Sequence, residues 1–364
     1  MTDRVAMERD THDIGIQDAE AEAREINLHT SDPDSSGDLE HRLEKHRLEL
    51  TAYSYRMLGS GFEAEDAVQE TLIRAWRSFD RFEGRSTLRS WLYRIATNVC
   101  LDMLKGRERR ARPMDLSSVQ TTASAVLGEA LPEATWIQPV PDSKVLPAEA
   151  DPAETAILRE SIQLAFMAAL QHLPPRQRAV LILREVLQWT AAEVAELLGS
   201  TVASVNSALQ RARATLADSR TALTDSSDGT HGRADNSDST LDHTLLAQYV
   251  DAFERYDIQT LVRLLHEDAT LSMPPYNLWL RGPLEIGRWM LGPGAECLGS
   301  RLIPTRANGS AAFGQYRASG PGGRHEPWAL QVIETSAGQV TGINAFLDTE
   351  LLFPAFDLPT RLDP

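Results

Sequence analysis

The sequence predicts a multidomain chain of two all-α modules followed by a C-terminal α+β domain, and three observations point there. At 364 residues the chain is too long for one ordinary domain. Apolar residues recur at spacings of three and four through LELTAYSYRML, EDAVQETLIRAWRSF and STLRSWLYRIATNVCLDMLK, and again beyond Ala153, which is the period of helices packed on one face. After Leu241 two helical runs, DHTLLAQYVDAFERYD and IQTLVRLLHED, give way to Gly-punctuated strand-like runs such as SAAFGQYRAS, PWALQVIETS and QVTGINAFLD. Helices first and an antiparallel sheet after them define an α+β domain.

The boundaries follow from shifts in composition. Residues 1–38 are acidic and lack an apolar period, the signature of a disordered extension. Residues 39–112 form the first helical module, and 113–152 an acidic, Pro-containing linker. The second helical module spans 153–223, a polar linker 224–240, and the α+β domain 241–364.

Hydrophobic residues make up 42% of the chain, a globular composition. No apolar run approaches the roughly 18 residues of a membrane helix, and the N-terminus lacks a signal-peptide core, so a cytoplasmic protein is expected. Cys100 and Cys297 stand far apart without metal-ligand spacing, so neither a metal site nor a cofactor is predicted. The net charge of -16 argues against nucleic acid only until its distribution is read. Arg74 to Arg112 holds eleven Lys and Arg against four acids, whereas residues 1–40 hold twelve acids against three Arg. A basic block beside acidic segments fits a DNA-contacting surface.

The most specific local pattern is LPPRQRAVLILREVLQWTAAEVAELLGSTVASVNSALQRARATL, residues 173–216. Pro174 and Pro175 open one helix, and a shorter one buries Val194, Ala195, Leu197 and Leu198 before Gly199 turns the chain into a third, which Thr201 is placed to cap. In that third helix Val202, Val205, Leu209, Ala212 and Leu216 form the apolar stripe. Ser204, Asn206, Ser207, Gln210, Arg211 and Arg213 face outward, as in the recognition helix of a helix-turn-helix. A helical hairpin with a solvated polar face has the same periodicity.

That run resembles region 4 of sigma factors, the part that reads the minus-thirty-five promoter element. EAEDAVQETLIRAWRSFDRFEGRSTLRSWLYRIATNVCLDMLKGRERR resembles region 2. Both in this order, with only a linker between, resemble the extracytoplasmic-function group over roughly residues 40–220. Beyond Leu241 the chain resembles the SnoaL-like, nuclear-transport-factor-two-like cone that some such factors carry, with HEDATLSMPPYNLWLRGPLEIGRWM the most telling run.

The resemblance implies a subunit that binds core RNA polymerase and promoter DNA and directs transcription initiation, with no catalytic residues of its own. Asp66, Gln69 and Glu70 would dock on the polymerase clamp through charge-assisted bonds, opposite a face of Ala67, Val68, Leu72, Ala75, Trp76 and Phe79 packed inside the module. Arg85, Ser86, Thr87, Arg94 and Asn98 would read the opened minus-ten element, with Lys105, Arg107, Arg109 and Arg110 on phosphates. Many relatives carry basic residues where this recognition helix has Asn206, Ala208 and Gln210, so the promoter sequence does not follow. Tyr249, Phe253, Met273, Tyr276, Trp279, Trp289, Trp328 and Phe346 are candidates to line a pocket in the cone, for a small-molecule ligand or an intramolecular contact. His266, Asp268, Glu285 and Glu326 are the titratable groups there that an enzyme would need. Two alternatives remain: a ligand-sensing helix-turn-helix regulator, and an isomerase-like enzyme with a DNA-binding appendage.

Overall fold

The computed structural model describes residues 35–125, 127–148, 151–224 and 239–364. The expected N-terminal extension up to residue 34, and residues 225–238 of the second polar linker, lie outside them.

The first module consists of α1 (Ser35–Glu44), α2 (Arg47–Leu58), α3 (Gly61–Ser78) and α4 (Leu88–Met103). Ser60 caps α3 by accepting the Glu63 N–H at 3.3 Å, and Thr87 caps α4 by accepting that of Ser90 at 3.1 Å. The middle helix α2 is covered on every side. Each residue from Leu50 to Leu58 is buried, polar Thr51, Ser54 and Arg56 included, because α2 packs against α3 and α4 and also against the second module.

That second module holds α5 (Pro152–Glu160), α6 (Leu164–Gln171), α7 (Pro175–Leu181, continued by a π turn to Val186), α8 (Ala191–Leu197) and α9 (Val202–Thr224). Thr190 and Glu193 close a reciprocal capping box at the start of α8. Gly199 turns the chain at a left-handed φ of 58°, a conformation that costs glycine nothing.

The C-terminal domain begins with α10 (Ser239–Glu254) and α11 (Ile258–Leu264), then builds a six-stranded sheet of order β2-β1-β6-β5-β4-β3. Its strands are β1 (Leu265–Ser272), β2 (Trp279–Arg281), β3 (Arg301–Ala307), β4 (Ser310–Arg317), β5 (Glu326–Ser336) and β6 (Gln339–Phe346). Helix α12 (Pro283–Leu291) follows β2, and α13 (Thr349–Ala355) closes the chain. Two expectations need correction. The helical run read through Asp268 stops at Leu264, because Leu265 onward pairs with β6. The sheet is also mixed, since β1 and β6 run parallel.

The segment 113–148, expected as a tether, is chiefly extended chain built into the core. Trp136, Ile137, Val140, Val145 and Leu146 are buried, and one continuous apolar cluster runs from the first module through this segment and the second module to the outer face of the sheet. The inner face of the sheet forms a separate cluster with α10, α11 and α12.

The three units meet at the β3–β4 turn. Asn308 is fully buried there: its backbone N–H donates to the Val140 carbonyl, and its side-chain oxygen accepts the Val140 N–H at 3.0 Å. Its amide nitrogen donates to the Tyr55 hydroxyl at 2.6 Å and to the Ile162 carbonyl at 2.7 Å. Beside it, a Cβ on Gly309 would stand 2.9 Å from the Arg159 carbonyl oxygen. Asn308→Ala therefore leaves buried donors and acceptors on three segments unpaired, and should lower stability by roughly 3 kcal/mol, read as the shift in urea midpoint.

Candidate nucleic-acid interface

The outward face of α9 is built as the spacing suggested. Thr201 accepts the Ser204 N–H at 3.2 Å, and Val205, Leu209 and Ala212 are buried while Asn206, Ser207, Gln210 and Arg211 are exposed. Ser204 is exposed too, its hydroxyl accepting from Thr201 at 3.0 Å. Arg213 pairs with Glu185 of the preceding π turn. Val202, read as the first residue of the apolar stripe, is 45% exposed, because the stripe begins one turn before α9 reaches its neighbours.

On α3, Asp66 and Gln69 are exposed and Glu70 is half-buried, accepting from Arg74 at 2.6 Å. Trp76 does not pack inside the module as its spacing suggested. It is 56% exposed and lines a groove of about 500 Å³ with Leu43, Gln69, Leu72 and Ile73, because α1 covers only part of that face. An exposed indole beside Gln69 enlarges the candidate docking face, and a surface tryptophan is the signal that identifies it.

The residues expected to read the minus-ten element divide by burial. Arg85 is exposed beside Glu83, Ser86 is half-buried, and Thr87 is occupied as the cap of α4. Asn98 is exposed, and Lys105 is exposed while paired with Asp102 at 2.6 Å. Phe79, Phe82 and Trp91 cluster beneath the loop, with ring centroids 5.0 to 6.3 Å apart. Arg94 reaches across to the second module and donates to the Glu196 carbonyl at 3.3 Å. Arg107 pairs with Glu63, and Arg109 lies against His172 of the second module, whose pKa is lowered by burial and by that guanidinium.

Arg110 is the clear departure. It is 6% exposed, sits 3.0 Å from the Glu63 carboxylate, and donates to the carbonyls of Glu133 at 3.0 Å and Trp136 at 2.6 Å. A buried guanidinium bonded to three internal acceptors is turned away from any phosphate at the surface. A run of arginines in sequence does not reveal which of them turns inward.

The two helical modules also touch directly. Tyr93 and Trp189 lie with ring centroids 5.0 Å apart, and the Arg89 guanidinium sits 5.5 Å over the Trp189 ring. Arg56 donates to the Ser161 hydroxyl at 2.7 Å, and Arg178 donates to the Met57 carbonyl and to Gln171. Burial lowers the pKa of both arginines to about 10. Neither has a carboxylate partner in ion-pair range among the described residues. Asn308, Tyr55, Arg56 and Arg178 escaped sequence reasoning. Only the Asn-Gly pair between two strand-like runs carried a signal, that of a tight hairpin.

Among the predicted pocket residues of the third domain, Tyr249, Phe253, Met273 and Trp289 are buried together, with Tyr276 and Trp328 packed at their edge. A polar chain crosses this interior: Tyr249 donates to Gln331 at 2.8 Å, Gln331 to Gln315 at 2.8 Å, and Gln315 to Ser300 at 3.1 Å. Phe346 lies on the opposite face of the sheet in the other cluster, since its strand position pairs with Leu330. Trp279 is turned to the linker, its indole N–H donating to the Ser117 carbonyl at 3.0 Å. Three of the four candidate acids and bases are also engaged. Asp268 pairs with Arg281 at 2.7 Å, and His266 accepts the Asp268 N–H at 3.1 Å. Glu285 is held below the usual carboxylate range by the backbone N–H and then the hydroxyl of Thr122.

Residues 43–110 match the family of sigma-70 region 2, and residues 163–216 that of sigma-70 region 4. With this fold and exposed recognition helix, they define a promoter-directing RNA polymerase subunit of the sigma-70 type. Over 328 residues the chain is 45% identical to the ECF RNA polymerase sigma factor SigG of Mycobacterium tuberculosis, an alignment covering 90% of this chain and 85% of SigG. The chain belongs to the extracytoplasmic-function RNA polymerase sigma factors. The crystal structure of the Mycobacterium tuberculosis extracytoplasmic-function sigma factor SigJ shares the fold, with a TM-score of 0.55 at 24% identity over 88% of this chain and 99% of SigJ. Among the described residues no helix is long and apolar enough to cross a membrane, and no cluster of metal-ligating side chains is present.

The inward arginine separates the two roles by stability. Arg110→Ala should cost about 2 kcal/mol, because it removes the buried one of two arginine partners of Glu63 and leaves the buried Trp136 carbonyl unpaired, while Arg107→Ala should stay within about 0.5 kcal/mol of the parent in urea denaturation.

Proposed function

We propose that this sigma factor is held in a closed state by its own C-terminal domain and opens to initiate transcription. The observation that carries this reading is the contact of Arg94 with Glu196, 3.7 Å apart. Elements at minus ten and minus thirty-five, about 25 base pairs apart, lie about 85 Å apart on B-form DNA, so the modules that read them must separate. The hairpin at Asn308 and the buried segment around Val140 hold them together instead.

In the open state Asp66, Gln69 and Glu70, with Trp76 beside them, dock on polymerase. Arg85, Ser86, Thr87, Arg94 and Asn98 read the minus-ten strand, with Lys105, Arg107 and Arg109 on phosphates. Ser204, Asn206, Ser207, Gln210, Arg211 and Arg213 read the minus-thirty-five duplex. Domain limits at 39–112, 153–223 and 241–364 accord with this division of labour. The SnoaL-like domain regulates and does not catalyse: its carboxylates Asp268 and Glu285 are committed to Arg281 and Thr122. The protein acts in the cytoplasm with core polymerase.

The closed interface is built to come apart. It buries the guanidinium groups of Arg56 and Arg178 against neutral acceptors, with the Arg56 Nη1 and Arg178 Nε lacking a hydrogen-bond partner. Separation returns both charges to water, which offsets part of the apolar area lost.

Replacing both Asp66 and Glu70 with lysine should cut promoter-directed transcription by core polymerase at least tenfold without moving the circular dichroism spectrum; unchanged transcription would refute the docking face. Gln210→Ala should cost about 1–3 kcal/mol at one base pair of the upstream element. Arg211→Ala should weaken holoenzyme binding evenly across sequences and lower the salt slope by about 1, read from titrations at several salt concentrations.

A further inference from the structure

We infer that the segment between the two DNA-reading modules is a stored length of chain, clasped at its base by Arg110 and Trp136, whose release sets how far apart the modules reach. This rests on the closed-to-open reading above and adds to it the element that limits the opening.

The clasp is a short parallel bridge. Ala111 donates its N–H to the Thr135 carbonyl at 2.7 Å and accepts the Ile137 N–H at 3.1 Å, with Ala111 and Trp136 as bridge partners. Arg110, anchored on Glu63 of the first module, adds its bonds to the carbonyls of Glu133 and Trp136. Chain that leaves the first module at Arg112 therefore returns to the same place at Thr135.

Between those points the loop lies along the third domain. Gln120 donates its backbone N–H to the Trp279 carbonyl at 3.2 Å, bridging edge strand β2 at Leu280. Thr122 donates its N–H to the Glu285 carboxylate at 2.7 Å, Ala125 packs on the inner cluster, and Leu131 donates to the Pro275 carbonyl at 3.0 Å. Among its described residues apolar burial is small, with Leu116, Val119 and Leu127 42%, 48% and 42% exposed. A loop held by polar contacts over exposed leucines detaches without dismantling a core.

Length decides the consequence. With the clasp shut, only residues 137–151 connect the modules, about 15 residues that span at most about 50 Å. Adding a solid radius of about 15 Å for each module, about 1.3 times its radius of gyration, brings the reach to about 80 Å, still short of the roughly 85 Å between the two promoter elements. With the clasp open the connector is about 39 residues and spans up to about 130 Å. Shut, the protein can engage one element; open, it can engage both.

The test places a disulfide across the bridged pair of the clasp, Ala111→Cys with Trp136→Cys in a Cys297→Ser background. Burial pushes the remaining Cys100 thiol up to about 12, which keeps it unreactive. Holoenzyme is assayed oxidised and reduced on a promoter carrying both elements, and for binding to a pre-melted fork carrying the minus-ten element alone. The expected result is at least a tenfold loss of initiation on the full promoter when oxidised, restored by reductant, with fork binding equal in both states. Equal initiation in both states overturns the inference, and so does an equal loss on both templates, which would mean that the clasp controls polymerase or DNA binding itself. Failure of the reduced protein on both templates would instead refute the sigma-factor reading of these residues. A second variant, Arg110→Ala, should extend initiation to promoters with longer spacers; an unchanged spacer optimum overturns the inference as well.

Discussion

The side-chain amide of Asn308 satisfies donors and acceptors on three separate parts of the chain, and the closed arrangement depends on it. A buried amide with every bond made is stabilising and highly directional, whereas the same amide displaced by an ångström would leave Tyr55, Val140 and Ile162 unpaired in an apolar core. The hairpin can enter so far because its next residue has no side chain, and Arg159 occupies the space that a Cβ would fill. Asp142 then fastens the turn from outside, accepting the Gly309 N–H at 2.7 Å and the Arg306 guanidinium at 3.0 Å. The third domain is thereby the wedge of the assembly and not an appendage to it.

Around that wedge, electrostatics and packing pull in different directions. The apolar cluster is continuous from Leu43 to Leu358, which favours one compact body. Two buried arginines without carboxylates favour a joint that can open, while the cation–π contact of Arg89 with Trp189 adds to its closure. A DNA-reading protein needs both properties, because its binding surfaces carry positive charge that must be held somewhere while no DNA is present. Here Arg94 is held by Glu196 of α8, so closing the modules also quiets part of the basic surface within an otherwise acidic chain.

The linker illustrates why composition alone misleads. Its Pro, Ser and Thr content reads as solvated chain, and much of it is extended. Extended chain can still be buried where its backbone bonds are met, and Ile137, Gln138 and Val140 find those partners in Ala111, Gly59 and Asn308. Each of these partners is distant in sequence, so no local pattern announces them.

What the residues determined on their own was everything whose physics is local: the helical periods of both DNA-reading modules, the caps at Ser60, Thr87 and Thr190, the glycine turn at Gly199, and the outward polar row of α9. Those features arise from neighbours a few positions apart, which is also why region 2 and region 4 were recognisable. Tertiary structure alone decided which arginine turned inward, that Trp76 and Val202 stayed exposed, that Phe346 faced away from the inner cluster, and that a hairpin amide joined all three units. A helical or strand period states that a face will be covered. What covers it, and how completely, depends on surfaces brought together from hundreds of residues away.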